Sequence, residues 1–127
     1  TAKLVMLMIG TNNGGDSPED VAKGIRKILD VIALKQPQAK TLLLPIFVYG
    51  KDASNPHRVK NEKTNAIIKS FADGQKVIWC DFNAKFLNAD GTIREDLFMK
   101  DFCHPIGPGY DIWAETVLPI FKEVCGR

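Results

Sequence analysis

Three short stretches of the chain are apolar almost without interruption: "KLVMLMIG" (Lys3 to Gly10), "TLLLPIFV" (Thr41 to Val48) and "KVIWCDF" (Lys76 to Phe82). A strand with one wet face alternates apolar and polar residues, whereas an unbroken run of this length reads as a strand buried on both faces, as in parallel sheets. Between the runs the apolar period lengthens to that of a helix. Val21, Ile25, Ile28, Leu29 and Ile32 recur at helical spacing before Pro37, and Asn65, Ile68 and Ala72 lead to a stop at Gly74. A last helix is predicted over "GPGYDIWAETVLPIFKEV", with Pro108 near its first turn and Pro119 bending its later half.

The order strand, helix, strand, helix, strand, long loop, helix predicts an α/β fold with right-handed crossovers, a parallel sheet and helices on both faces. No internal repeat or low-complexity segment interrupts it. Three strands make a narrow sheet where doubly wound folds usually have about five. With the first apolar run almost at residue 1, the expectation is of a chain that starts inside a fold.

Composition narrows the function classes. At 127 residues the chain has the size of one domain. A hydrophobic fraction of 45% with 25% charged residues suits a water-soluble globular protein, and no apolar run approaches a membrane span of about 18 residues. Lys plus Arg number 17 against 15 Asp plus Glu, dispersed along the chain, so no basic footprint for nucleic acid is present. Cys80, Cys103 and Cys125 are odd in number and far apart, which suits neither a disulfide framework nor a Cys-x-x-Cys metal site; no metal and no cofactor is expected. The compartment stays open, with secretion or the periplasm following if a signal was removed upstream.

The first apolar run leads into "MIGTNNGGDSPED" (Met8 to Asp20), whose Gly-Asp-Ser raises the question of a serine nucleophile. On an α/β sheet that serine sits at the sharp turn directly after a strand, within reach of oxyanion-stabilising N–H groups. Ser17 lies seven residues past Gly10. "Ser17-Pro18-Glu19-Asp20" reads instead as a helix start: Ser at N-cap, Pro at N1 and two acids in the first turn.

Asn12 is better placed, immediately after the strand at the carboxyl end of the sheet, where its amide could donate to an anionic oxygen; Asn and Gly are also ordinary turn residues. A second candidate is "Lys100-Asp101-Phe102-Cys103-His104-Pro105". The spacing lets the Asp101 carboxylate accept from imidazole Nδ1–H of His104 while Nε2 faces outward as a base; alternatively Asp101 caps a turn and His104 is a loop histidine. Pro105 biases His104 toward extended backbone, and "Gly107-Pro108-Gly109" turns the chain into the last helix. Cys103 is a weak nucleophile candidate, because neighbours in an extended segment point to opposite sides. His57 reads as a solvated loop histidine, and Tyr110 and Trp113 as packing residues at i and i+3.

These blocks together, "Gly10-Thr11-Asn12-Asn13", "Leu44-Pro45-Ile46-Phe47", "Asn55-Pro56-His57-Arg58-Val59-Lys60-Asn61", "Asp90-Gly91-Thr92-Ile93", "Asp101-Phe102-Cys103-His104-Pro105" and "Gly109-Tyr110-Asp111-Ile112-Trp113-Ala114", resemble the SGNH (GDSL-type) esterases. The branch is that of the platelet-activating-factor acetylhydrolases and related bacterial acetyl esterases. The resemblance spans nearly the whole chain in family order. It implies a flavodoxin-like three-layer α/β/α fold, to which this chain supplies about three strands and the following helices. It also implies that Asn12 is an oxyanion-hole donor, that Asp101 and His104 complete a Ser-His-Asp triad, and that Arg58, Asn61 and Asn65 line the active-site side.

Two departures qualify the resemblance. The family's first block, with the nucleophilic serine, and its second, with an oxyanion glycine, precede the asparagine block, and neither occurs in the nine residues before Gly10. "Val48-Tyr49-Gly50" stands where the branch often has Pro-Arg-Gly. The expectation is therefore a single, incomplete SGNH hydrolase domain over residues 1–127. It would act on a small-molecule acyl ester, short-acyl or acetyl, on a carbohydrate or similar carrier, with the serine brought by a second polypeptide and no nucleic-acid or membrane partner. The rivals are a non-catalytic anion- or nucleotide-binding module, for which the loop lacks G-x-G-x-x-G and G-K-[ST] spacing, and a degenerate structural homologue.

Overall fold

The structure, a computed structural model, describes residues 1–126. Strands β1 (Leu4–Leu7), β2 (Lys40–Leu43) and β3 (Val77–Trp79) form a parallel sheet in the order β1-β2-β3. Leu4 lies opposite Lys40, and Thr41 opposite Val77. Helices α1 (Pro18–Lys35) and α2 (Pro56–Lys69) pack on one face and α3 (Gly107–Cys125) on the other.

β2 shows why the run from Leu42 is apolar at consecutive positions. Leu42 and Leu43 point to opposite faces and are 0% and 1% exposed. Leu42 joins Leu44, Phe47, Phe82, Phe86 and Val117 on the α3 side, whereas Leu43 joins Val21, Ile25, Leu29, Ile46 and Ile68 under α1 and α2. Phe86 is central to the first cluster, with ring centroids 5.5 Å from Phe47, 5.6 Å from Phe82 and 5.4 Å from Phe98 in tilted or edge-on contact.

The strands are shorter than the apolar runs. Past Leu43 the chain meets Pro45, which has no N–H for a ladder. Side-chain amides take over the pairing: Asn65 accepts from Ile46 N at 2.7 Å and donates to Ile46 O at 3.0 Å. Asn83, in the 3₁₀ turn Asn83–Phe86, donates to the same carbonyl at 2.8 Å and accepts from Val48 N at 3.2 Å. The segment after β2 thus stays buried with its polar backbone satisfied.

Both caps follow the side-chain chemistry. Ser17 Oγ accepts from Asp20 N at 3.1 Å with Pro18 opening α1, as expected. Asn55 Oδ1 accepts from His57 N and Arg58 N and Pro56 opens α2, so His57 belongs to a helix and not to a polar loop. α2 ends at Lys69, and Ala72 and Gly74 lie beyond it. Its buried face carries Arg58, Asn61, Thr64 and Asn65 beside Ile68, which is why apolar periodicity did not reveal its start. Pro119 lies inside α3.

Arg58 is 1% exposed. Its guanidinium donates to Tyr49 O at 3.2 Å, Gly50 O at 2.6 Å and Gly91 O at 2.6 Å. Burial pushes its pKa down while the charges of Glu62 and Asp52 oppose that shift. The fork ties α2 to the turn after β2 and to the loop before Ile93. Arg58→Ala would leave those carbonyls without a donor, at roughly 1–3 kcal/mol for each group left unsatisfied. We expect a total loss of about 3–5 kcal/mol in urea unfolding, and little rescue by Arg58→Lys, whose point charge cannot serve three diverging acceptors.

Candidate active site

Residues 97–106 form a closed loop at the start of α3. Ile106 N donates to Leu97 O at 2.9 Å, Met99 N to His104 O at 2.8 Å, and Phe98 bridges Pro105 in antiparallel fashion. Gly109 lets α3 approach this base, since a Cβ there would lie 2.6 Å from Leu97 O. At the tip Phe102 adopts φ 53, a left-handed conformation costing about 1–2 kcal/mol for a residue with a Cβ. It is held there from both sides: the ring packs on the α3-side core, and the carbonyl accepts from Gly50 N at 3.0 Å.

Within the loop the two oxygens of Asp101 divide their work. Oδ1 accepts from Cys103 N at 3.0 Å and His104 N at 3.1 Å, and Oδ2 contacts His104 Nδ1 at 2.5 Å. The turn-capping and imidazole-pairing readings of Asp101 are therefore both realised. The His104 hydrogen bond first, then the backbone N–H of His104 and of Cys103, hold the carboxyl at about 2, against 3.8 for an ordinary aspartate. The side chains of His104 and Asp101 are 67% and 44% exposed. With Nδ1 engaged, Nε2 is the nitrogen left to take up a proton.

Asn12 does not follow the strand directly: β1 ends at Leu7, and Asn12 lies beyond Met8, Ile9 and Gly10 in a turn closed by Asn13 N to Gly10 O at 3.1 Å. Gly10 has φ 124, and a Cβ there would lie 2.7 Å from Ile46 Cδ1. The turn is braced by Lys60 Nζ on Asn13 O and by Asn13 Nδ2 to Asp16 Oδ2 at 2.9 Å. The Asn12 side chain is exposed and hydrogen-bonds to no described residue. The structure thus joins Asp101 to His104 directly and presents Asn12 on a separate, braced turn.

The serines are occupied locally. Ser17 caps α1, Ser54 Oγ donates to Asp52, and Ser70 Oγ donates to Ile67 O; none hydrogen-bonds to His104. Burial, then the Asp101 charge, pushes the Cys103 thiol up from its ordinary pKa, which disfavours the thiolate. The anion-site reading of the first loop loses ground because Ser17 caps α1 and Glu19 and Asp20 fill its first turn. Among the described residues no group of three or more His, Cys, Asp or Glu is placed to hold a metal ion, and no helix is long and apolar enough to cross a membrane.

Several neighbours differ from expectation. His57 is half-buried and stacks on Tyr49 with centroids 3.8 Å apart, with Gly14 lying over the imidazole. The ring of Tyr49 can therefore be assigned a packing role that its letter alone does not disclose. Arg58 and Asn65 are structural struts, their polar atoms committed to backbone. Tyr110 is 52% exposed, contrary to a packing role, whereas Trp113 does pack on the α3-side core.

A sequence model of the GDSL-like lipase/acylhydrolase family matches residues 1–112. The platelet-activating factor acetylhydrolase IB subunit alpha2 of Gallus gallus is 40% identical over 110 residues, covering 85% of this chain and 47% of that protein. The alpha1 subunit of Pongo abelii is 33% identical over 109 residues, covering 85% and 46%. The chain thus spans about half the length of these curated relatives. Among solved structures, a GDSL-like lipase from Bacteroides thetaiotaomicron superposes with TM-score 0.76 at 20% identity, covering 95% of this chain and 62% of that one. A catalytic mutant of an acetylxylan esterase from Geobacillus stearothermophilus gives 0.73 at 18%, covering 92% and 58%. The structural likeness is one of fold, and the sheet with helices on both faces agrees with the expected flavodoxin-like architecture.

The loop geometry sets a titration. Because the folded Asp101 value lies below the ordinary one, its stabilising contribution is present above about pH 4 and is lost as pH falls through about 2. Carbon-detected NMR of the Asp101 carboxyl should give a midpoint near 2, rising toward 3.8 in His104→Ala. An unchanged midpoint in that variant would show that the backbone N–H groups alone depress it.

Proposed function

The chain belongs to the GDSL-like lipase/acylhydrolase family, and from that premise we propose that it carries the acid–base and oxyanion groups of a carboxylic-ester hydrolase. The observation that supports this most is the 2.5 Å contact between Asp101 Oδ2 and His104 Nδ1 on an exposed, braced loop.

In this reading the nucleophile is a serine on polypeptide outside these residues, which here form the carboxyl-terminal part of an SGNH hydrolase domain. Among the described residues β1 is hydrogen-bonded on its β2 side only, and Met6, Met8 and Ile9 are 45%, 42% and 48% exposed. An unpaired edge with exposed apolar residues suits a further parallel strand. His104 Nε2 takes the serine hydroxyl proton as Oγ bonds to the acyl carbon, and Asp101 stabilises the imidazolium. The Asn12 amide donates to the carbonyl oxygen as it becomes an oxyanion. Collapse releases the alcohol with the proton from His104, and water then cleaves the acyl-enzyme by the same steps in reverse order.

Short acyl esters, acetyl on a carbohydrate first and an acetylated lipid second, are the proposed substrates. The acetylxylan esterase and the platelet-activating factor acetylhydrolases are the corresponding similar proteins.

Hydrolysis of p-nitrophenyl acetate by the assembled protein tests this. Asn12→Ala should lower kcat/KM about 10²- to 10³-fold, and His104→Ala further. A serine-directed phosphonate should abolish turnover and label a peptide absent from residues 1–127. Changes of only a few-fold in both variants, or turnover insensitive to the phosphonate, would overturn the assignment; a second polypeptide undetectable by mass in active material would overturn the external serine.

A further inference from the structure

β1 ends at Leu7, so the loop of residues 10–16 lies past the sheet ladder. Its internal hydrogen bonds run from Asn13 N to Gly10 O at 3.1 Å, from Asp16 N to Asn13 O at 3.1 Å and from Asn13 Nδ2 to Asp16 Oδ2 at 2.9 Å. Bonds of this kind give the loop a shape but do not fix where it stands. Among the described residues one hydrogen bond ties it to another element: Lys60 Nζ, on α2 and 47 positions further along the chain, donates to Asn13 O.

Lys60 has no competing commitment. It is half-buried and forms no ion pair with a described carboxylate. An ammonium drawn partly out of water needs acceptors, and the one it meets here is the Asn13 carbonyl. Three residues earlier on the same face of α2, His57 supports the next residue of the loop, since a Cβ at Gly14 would lie 3.5 Å from its Cε1. α2 therefore holds Asn13 by a hydrogen bond and Gly14 by van der Waals contact.

Asn12 immediately precedes these two residues. Its side chain is exposed and hydrogen-bonds to no described residue, so its direction is set by its own backbone. A donor to a developing oxyanion has to stand within about 0.5 Å of its productive position, and a displacement of about 1 Å can cost 10²-fold in rate. Resting on the ester-hydrolase reading, we propose that Lys60 is a positioning residue of the reaction. Through the Asn13 carbonyl its ammonium keeps the Asn12 amide where the oxyanion forms, while Lys60 itself touches no substrate.

A residue that acts through Asn12 loses its effect once that amide is gone, which a merely structural lysine would not. The test is a double-mutant cycle, with kcat and KM for p-nitrophenyl acetate measured on the assembled protein for Lys60→Met, Asn12→Ala and the pair. Lys60→Met keeps the aliphatic stem and removes the donor; it should lower kcat about tenfold with KM within about twofold, and Lys60→Arg should recover most of the loss. In the Asn12→Ala background Lys60→Met should change kcat by less than about twofold. Lys63→Met, on the exposed side of the same helix, should leave kcat as it is. The proposal is overturned if Lys60→Met costs nothing while Asn12 is present, costs as much in its absence, or is not recovered by Lys60→Arg. Those results leave the oxyanion role of Asn12 standing, whereas an ordinary kcat in Asn12→Ala removes that role and the positioning role with it.

Discussion

The local order around the candidate site depends on one buried cation. Arg58 reaches from the first turn of α2 to the carbonyls of Tyr49, Gly50 and Gly91, and no carboxylate among the described residues bonds to it. Desolvating a guanidinium is expensive unless its donors are met, and here they are met by backbone, which fixes three pieces of chain at once. The consequence reaches the imidazole: Gly50, held at its carbonyl by Arg58, donates its own N–H to Phe102 O in the loop that bears Asp101 and His104. α2 is therefore linked through Gly50 to the loop of Asp101 and His104 without contributing a group to that pair. The same helix braces the other candidate element, through Lys60 on Asn13 O and His57 beneath Gly14.

The loop itself combines strain with compensation. Phe102 is the described non-glycine residue with positive φ, and that conformation lets Asp101 direct one oxygen at two backbone N–H groups and the other at the imidazole. A core-packed ring and a backbone hydrogen bond offset the conformational cost. The ring anchor ties the loop to the same core cluster that holds Phe47, Phe82 and Phe86.

Much of the architecture was readable because parallel strands and amphipathic helices leave strong periodic signals. The three apolar runs marked the strands and Ser17-Pro18 marked the start of α1. The strand ends were hidden by Pro45, where apolar character continues but ladder pairing gives way to Asn65 and Asn83. The second helix was legible from Asn65 and Ile68, but its start was not, because the buried face of its first turns is polar, with Arg58, Asn61 and Thr64 in place of an apolar stripe. The available signal was Asn55-Pro56, an N-cap and N1 pair of the same kind as Ser17-Pro18. Asp101 and His104 were legible because an i, i+3 pair interacts within its own loop. The Tyr49–His57 stack joins the turn after β2 to α2 through tertiary packing, to which no local pattern points.

Electrostatics then bears on how such a pair could work. At 67% exposure the His104 side chain sits in water, where its charge and that of Asp101 are well screened and each hydrogen bond contributes little net free energy. Oxyanion stabilisation is strongest when preorganised donors act in a site from which water is excluded. Asn12, exposed and unbonded on its turn, is in the same condition. In the proposed reading, a segment that docked beside β1 and carried a serine would bring a nucleophile and, where it covered Asn12 and His104, would strengthen both interactions together. Supplying a hydroxyl alone would not achieve this: a free alcohol in solution would meet an imidazole that water reaches equally well, and the proton transfer would lack the fixed geometry and low dielectric that make it effective.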